Sequence, residues 1–143
     1  MEVVEDTQWL ANIVPAPKKD GKVRIYVDYR DLNKACLKDD FPLPHINTLD
    51  DSATSSAMYS FMDGFVGYNQ IMMAVIDKLK TSFTIEWGVY CYLVMPFELN
   101  NVGATYQRMA TTLLHDMIHK EIEVYVDDMM VKSLTKEGYF RAL

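Results

Sequence analysis

With 143 residues, half of them apolar and 24% charged, the chain is long enough for one ordinary domain, or part of a larger one, with a core of its own. The formal net charge of −6 argues against indiscriminate nucleic-acid binding, and the apolar content argues against disorder. No apolar run reaches membrane-spanning length, and Met1-Glu2-Val3-Val4-Glu5-Asp6 lacks the basic and apolar regions of a secretion signal, so a soluble, unsecreted chain with no membrane partner is expected.

In chain order, Pro15-Ala16-Pro17-Lys18-Lys19-Asp20-Gly21-Lys22 reads as a strand end and a turn, Asp-Gly being the turn signal. Val23 to Val27 alternates weakly as a strand, and Asp28 to Lys34 suits a short helix. Residues 18–34 carry Lys18, Lys19, Lys22, Arg24, Arg30 and Lys34 against Asp20, Asp28 and Asp31, a local net charge of +3 that leaves −9 for the rest. Alone, such a segment reads equally well as a solvated hairpin. Residues 38–56 are polar and contain Phe41-Pro42-Leu43-Pro44; each proline disfavours helix at the residue before it, so an extended linker and then a short helix are expected.

A strand-like run, Ala57-Met58-Tyr59-Ser60-Phe61-Met62, ends at Asp63 and gives way to a two-glycine turn, Gly64-Phe65-Val66-Gly67-Tyr68. Thr81 to Ile85 and Val89 to Met95 form a hairpin candidate around Glu86-Trp87-Gly88. Between 102 and 119, Val102, Tyr106, Met109, Ala110, Leu113, Met117 and Ile118 fall at helical spacing with one buried face. His115 and His119 would share a face of that helix, but no Glu stands between them as the metalloprotease pattern requires. Cys36 and Cys91 have no close-spaced partner and suggest neither zinc nor a disulfide.

The last hairpin carries the chemistry. Glu123-Val124-Tyr125-Val126 and Met129-Met130-Val131 are strand-forming arms, with Asp127 and Asp128 at the tip. With Asp63 at another strand end, three carboxylates could hold two Mg²⁺ ions roughly 3.5–4 Å apart, the arrangement used for in-line attack on phosphate. Crowded like charges make sense beside a cation. After Met129 to Lys132 the chain reads as a polar tail ending at Leu143. The element order gives an α+β fold, an antiparallel sheet with helices packed on one face.

Taken together, Trp9-Leu10-Ala11-Asn12-Ile13-Val14-Pro15, Lys18-Lys19-Asp20-Gly21-Lys22, Val27-Asp28-Tyr29-Arg30-Asp31-Leu32-Asn33, Asp40-Phe41-Pro42-Leu43-Pro44, Ser60-Phe61-Met62-Asp63-Gly64-Phe65, Gly67-Tyr68-Asn69-Gln70, Met95-Pro96-Phe97, Gly103-Ala104-Thr105-Tyr106-Gln107-Arg108 and Tyr125-Val126-Asp127-Asp128 form an ordered set. In this order and spacing the chain resembles the reverse transcriptase domain of gypsy-type long-terminal-repeat retrotransposons, especially plant pol polyproteins. The resemblance implies a right-handed polymerase, with fingers at about 1–37 and 71–101 and palm at about 38–70 and 102–143, the thumb and RNase H parts lying outside the sequence. It implies RNA-directed DNA polymerase activity using two Mg²⁺ ions, with Mn²⁺ able to substitute. It assigns Asp63, Asp127 and Asp128 to catalysis and metal binding, and Lys18, Lys19, Arg24, Gly64, Phe65, Tyr68 and Phe97 to the incoming nucleotide. Tyr125, Gln107 and Arg30 fall to primer and template, and His45 lies near the template path. The implied partners are an RNA or DNA template-primer, deoxynucleoside triphosphates and the remainder of a pol polyprotein with thumb, RNase H and integrase. The implied location is a cytoplasmic virus-like particle, the nucleus being the alternative.

The sequence departs from that pattern at several points. Glu98 replaces a glycine, adding bulk and a charge that repels phosphate by roughly 1–4 kcal/mol at 4 Å, depending on screening. Val66 replaces a small residue, Asn100 a lysine, and Val75-Ile76 a Pro-Glu pair. Two other readings therefore stand beside the polymerase: a decayed, inactive remnant, and a nucleic-acid-binding fragment that uses the basic 18–34 stretch.

Overall fold

A computed structural model describes residues 1–63 and 67–142. The described chain divides into two compact units, Met1–Lys38 with Tyr68–Val102, and Asp39–Gly67 with Gly103–Leu143.

The first unit is built on two small antiparallel sheets. Strands β2 (Ile13–Pro17) and β3 (Val23–Val27) pair from Ile13↔Val27 to Pro17↔Val23. Their turn is closed by the Lys18 N–H donating to the Lys22 carbonyl at 2.7 Å. Gly21 takes φ 78, the left-handed conformation that makes Asp-Gly a turn signal. Strand β1 (Glu2–Val3) adds to the edge of the hairpin made by β5 (Phe83–Ile85) and β6 (Gly88–Cys91), giving the order β1-β6-β5. The short helix α1 (Arg30–Ala35) and the single turn α3 (Val75–Lys78) complete it. Val27, Tyr29, Leu32 and Phe83 form its core, with Trp9, Ile13 and Leu99 packed around them. The Tyr29 hydroxyl, buried there, donates to the Thr81 carbonyl at 2.9 Å, and burial pushes its pKa well above the ordinary phenol value.

The second unit holds helix α2 (Ile46–Thr54), strand β4 (Met58–Asp63), helix α4 (Val102–Leu113, entered from the first unit), strands β7 (Ile122–Tyr125) and β8 (Asp128–Ser133), and helix α5 (Lys136–Ala142). Its sheet order is β4-β8-β7, all antiparallel. Central strand β8 is closed on both faces: Met130 and Val131, which point to opposite sides, are both 0% exposed. Helix α5 meets one face where the Tyr139 hydroxyl bonds Ser60 Oγ. On the other, Ser52 Oγ of α2 donates to Glu123 Oε1 at 3.1 Å. The α+β class holds, with the refinement that helices meet side chains of both faces. Over β4 the second face stays open, Tyr59 and Phe61 lying exposed and edge to face at 5.8 Å.

Two expectations are corrected. The apolar repeat predicted a helix to residue 119, but α4 stops at Leu113, which is 73% exposed. Residues 114–121 instead form successive turns that reverse the chain into β7, with His119 at φ 64. His115 and His119 therefore share no helical face: His115 pairs with Asp116, and His119 with Glu123. The polar tail, in turn, is helical from Lys136 to Ala142, because Tyr139 and Ala142 bury one side of it.

Glu123 is the electrostatic centre of this unit. It is 4% exposed and binds Lys132 Nζ at 2.7 Å, Ser52 Oγ and His119 Nδ1 at 2.9 Å. Burial pushes its carboxyl up, but the hydrogen bonds from Lys132 and His119 outweigh that and hold it below its ordinary 4.5. Because the folded-state value is depressed, the resulting stability is present above 4.5 and is lost as pH falls through the folded value. Glu123→Ala leaves Lys132 buried without its partner and should cost about 3–5 kcal/mol in urea denaturation at neutral pH. That difference should shrink when the melts are repeated in acid.

Candidate active site

The carboxylates predicted at strand ends are brought together by strand register. Asp63 closes β4 directly opposite Asp128, which opens β8. Tyr125 pairs with the same Asp128 across the hairpin, so Val126 and Asp127 are the two residues of the turn. Asp63 and Asp128 are exposed and Asp127 half-buried.

This turn is strained. Val126 has φ 52, a left-handed conformation that a β-branched residue resists, at a cost of about 1–3 kcal/mol. The buried amide of Gln107, on α4, opposes the strain. Its Nε2 donates to the Val124 carbonyl at 3.0 Å and its Oε1 accepts from the Val126 N–H at 2.8 Å. Asp127 is thus set in place by its backbone rather than by its own hydrogen bonds. Its buried Oδ1 has no hydrogen-bond partner among the described residues.

Gly67 and Tyr106 crowd that oxygen. A Cβ on Gly67 would lie 2.9 Å from Asp127 Oδ1 and 3.4 Å from the Tyr106 ring, so any larger residue would have to displace the Asp127 carboxylate. Tyr106 is 4% exposed, and burial, reinforced by Asp127 and Asp63, raises its phenol above the ordinary range. A buried carboxylate oxygen without a hydrogen-bond partner among the described residues, on a turn next to the facing Asp63 and Asp128, suits a hard divalent cation. Among the described residues no group of three or more His, Cys, Asp or Glu side chains is placed to hold a metal ion.

In the first unit, Lys18, Lys19 and Arg24 converge on an open concavity of about 490 Å³ on the β2–β3 hairpin. Arg24 Nη1 donates to the Tyr26 hydroxyl at 3.1 Å. Tyr68, 9% exposed, meets Phe97 edge to face with ring centroids 5.2 Å apart. Arg30 forms a close pair with Asp28 at 2.6 Å and holds that carboxyl down at about 2. In the second unit, Tyr125 and His45 line a separate pocket of about 260 Å³. Gly64 and Phe65 lie outside the described residues, as does Val66.

The family model for reverse transcriptase (RNA-dependent DNA polymerase) matches residues 16–143. The chain belongs to the reverse transcriptase family. It is 33% identical over 135 residues to the retrovirus-related Pol polyprotein of the Drosophila melanogaster transposon opus, which covers 94% of this chain and 14% of that polyprotein. It is 32% identical to the polyprotein of the D. melanogaster transposon gypsy over 118 residues, 82% of this chain and 11% of the relative. An RNA-directed DNA polymerase homolog of Oenothera berteroana is 30% identical over 78% of this chain and 79% of its own length. The chain thus spans about a seventh of the opus Pol polyprotein. Its fold is that of the prototype foamy virus protease–reverse transcriptase, with TM-score 0.77 at 20% identity over 97% of this chain and 18% of the other. The foamy viral enzyme in complex with an RNA/DNA hybrid gives TM-score 0.78 at 22% identity, over 96% of this chain and 18% of that one.

Within this reverse transcriptase domain, three contributions were not legible from composition. Gln107, expected at the primer and template, is instead buried with both amide atoms engaged by the hairpin, and this clamp on the turn is a tertiary contact with no sequence signal. The sequence marks Gly67 as a turn glycine, whereas its constraint is the approach of Asp127 Oδ1. The apolar spacing marks Tyr106 as part of a core face and carries no sign of its neighbouring carboxylates. Gln107→Leu keeps the volume but leaves the Val124 carbonyl and the Val126 N–H unsatisfied, each costing about 1–3 kcal/mol. A loss of about 2–4 kcal/mol in urea denaturation is expected, with the Val126 amide the first in the hairpin to lose hydrogen-exchange protection.

Proposed function

We propose that this chain supplies the fingers and palm of an RNA-directed DNA polymerase that extends a primer 3′-hydroxyl with deoxynucleoside triphosphates on an RNA or DNA template. The observation that carries the reading is the orphaned Asp127 Oδ1, held at a strained turn beside Asp63 and Asp128. The compact units change over at residues 38, 67 and 102, within three residues of the expected finger and palm bounds, which supports that division. The solved foamy viral complexes contain an RNA/DNA hybrid or double-stranded DNA, and the transposon relatives are larger Pol polyproteins, which supports a template-primer and a longer polyprotein as partners.

In this reading Asp63, Asp127 and Asp128 hold two Mg²⁺ ions, which Mn²⁺ can replace. When bound, such ions lower the pKa of the primer 3′-hydroxyl and neutralise charge on the triphosphate. Lys18, Lys19 and Arg24 bind phosphate oxygens, Arg24 being suited to a two-point contact. Tyr68 packs under the sugar and excludes a 2′-hydroxyl, and Phe97, edge to face with it, lies near the incoming nucleotide. Tyr125 packs against the primer-terminal pair, and Arg30 contributes to the template path. The 3′-oxygen gives up its proton and bonds to the α-phosphorus, the bond from that phosphorus to the bridging oxygen breaks, and pyrophosphate leaves.

A second reading, the inactive remnant, is favoured by Glu98. Its φ of 74 lies where glycine is at ease, and Glu98 lines a cavity of the first unit together with Arg24 and Phe97. Extension of a DNA primer on poly(rA), with Mg²⁺ or Mn²⁺, separates the two. The polymerase reading expects extension that Asp127→Asn lowers at least about a hundredfold, or roughly 3 kcal/mol of barrier. Equal extension by the variant would remove Asp127 from catalysis. A folded wild-type chain that extends nothing would leave the remnant reading standing.

A further inference from the structure

The segment that follows Phe97 is tied to α1 by three side-chain hydrogen bonds and to Leu37, just beyond that helix, by a fourth. Asn33 Nδ2 donates to the Glu98 carbonyl at 2.7 Å, and Asn33 Oδ1 accepts from the Asn100 N–H at 2.9 Å. Asn100 Nδ2 donates back to the Asn33 carbonyl at 3.2 Å, and Asn101 Nδ2 donates to the Leu37 carbonyl at 2.8 Å. The Asn33 amide thus offers one donor and one acceptor to the same stretch of chain, as a neighbouring strand would, and fixes the peptide planes on either side of Leu99. It does so next to Glu98, whose φ of 74 a side-chain-bearing residue resists. On one side of this turn Leu99 packs on the core of the unit; on the other, Phe97 lies edge to face on Tyr68.

We infer that Asn33 is a positioning residue: its side-chain amide holds the left-handed turn at Glu98 and so sets Phe97 against Tyr68, the aromatic pair that selects the sugar of the incoming nucleotide. The geometric half stands on the contacts above; the selectivity half rests on the polymerase reading. Neither Ala nor Asp can replace Asn33, since Ala offers nothing and Asp keeps the acceptor for Asn100 but loses the donor to Glu98. Asp would also bring a second negative charge to the turn. Glycine at position 98 takes the same φ without resistance, so the dependence on Asn33 should ease in a Glu98→Gly background.

Two measurements test this. The first needs no catalysis: hydrogen exchange of the Asn100 amide and ring-to-ring NOEs between Phe97 and Tyr68, in wild type, Asn33→Ala, Asn33→Asp, and each combined with Glu98→Gly. Asn33→Ala should speed Asn100 exchange at least tenfold. Both Asn33 variants should weaken the Phe97–Tyr68 NOEs, and Glu98→Gly should restore part of what is lost. Should Asn33→Ala fail to fold, Asn33→Asp, which retains the shape and one bond, carries the test. Unchanged NOEs in folded Asn33→Asp overturn the positioning role. The second measurement is the ratio of dTTP to UTP incorporation on poly(rA), which should fall at least about threefold in Asn33→Asp and recover in Asn33→Asp with Glu98→Gly. An unchanged ratio with lost NOEs overturns the selectivity half alone. A wild-type chain that extends no primer defeats the polymerase reading and the selectivity half with it, while the exchange and NOE results still decide the positioning role.

Discussion

Everything proposed for the second unit depends on the Gln107 amide. A two-residue hairpin turn that starts with valine at φ 52 is not one the local sequence would choose, since Asn-Gly or Asp-Gly is the low-strain solution. Left to propensity, the tip would relax and Asp127 would swing toward water. Gln107 prevents this by bonding the Val124 carbonyl and the Val126 N–H from a buried helical position. Two hydrogen bonds of about 1 kcal/mol each are of the same size as the strain they oppose. The turn is therefore held, with little surplus, in a conformation that leaves Asp127 Oδ1 without a hydrogen-bond partner among the described residues.

That arrangement needs a rigid base, and the sheet supplies it. Strand β8 is central, pairs along its length with β4 and β7, and has Met130 and Val131 wholly buried on its two faces. The Glu123–Lys132 pair, with Ser52 and His119 around it, ties α2 and the turn before β7 to the far end of the same hairpin. Buried charges of this kind add little net stability over an apolar filling, but they are intolerant of misregister. A slip of one residue would turn Glu123 to the other face and leave Lys132 unpaired. Register is also what sets Asp63 opposite Asp128, so the ion pair at one end and the acids at the other are governed by the same pairing.

Strands β3, β4, β7 and β8 and the two turns at Gly21 and Asp127 were legible in the sequence because their signals are local: β-branched runs, Asp-Gly, adjacent acids. So was the convergence of Lys18, Lys19 and Arg24, since a short hairpin fixes it. Strand β1 carries too short a signal to be read, and the 81–95 hairpin is shorter than expected, β5 starting at Phe83 and β6 ending at Cys91. Helix ends were less legible. The apolar spacing through Met117 and Ile118 is genuine, but those side chains are half-buried from a chain of turns rather than from a helix. Thr112 Oγ1 bonding back to the Arg108 carbonyl marks where α4 begins to give way, and periodicity alone does not register that competition. Helix α5 was missed because its buried face, Tyr139 and Ala142, is too sparse for a periodic signal and acquires meaning only against β4 and β8.

The two strained turns share one device. At each, a side-chain amide from a helix donates to a carbonyl and accepts from the N–H two residues later: Gln107 for residues 124 and 126, Asn33 for residues 98 and 100. Each grips a turn with a positive-φ residue that is not glycine, Val126 in one and Glu98 in the other. An amide is the side chain suited to this, because it alone pairs a neutral donor with a neutral acceptor at peptide-like spacing. A hydroxyl reaches one partner well, a carboxylate offers no donor when ionised, and a buried charge would bring its own desolvation cost. The difference lies in what is gripped. Val126 keeps an apolar side chain beside Gly103 and needs only its backbone restrained, whereas Glu98 adds a carboxylate to a cavity proposed to receive phosphates. The same clamp therefore holds the turn that carries the candidate acids in one unit and, in the other, preserves a backbone shape whose side chain works against the proposed ligand.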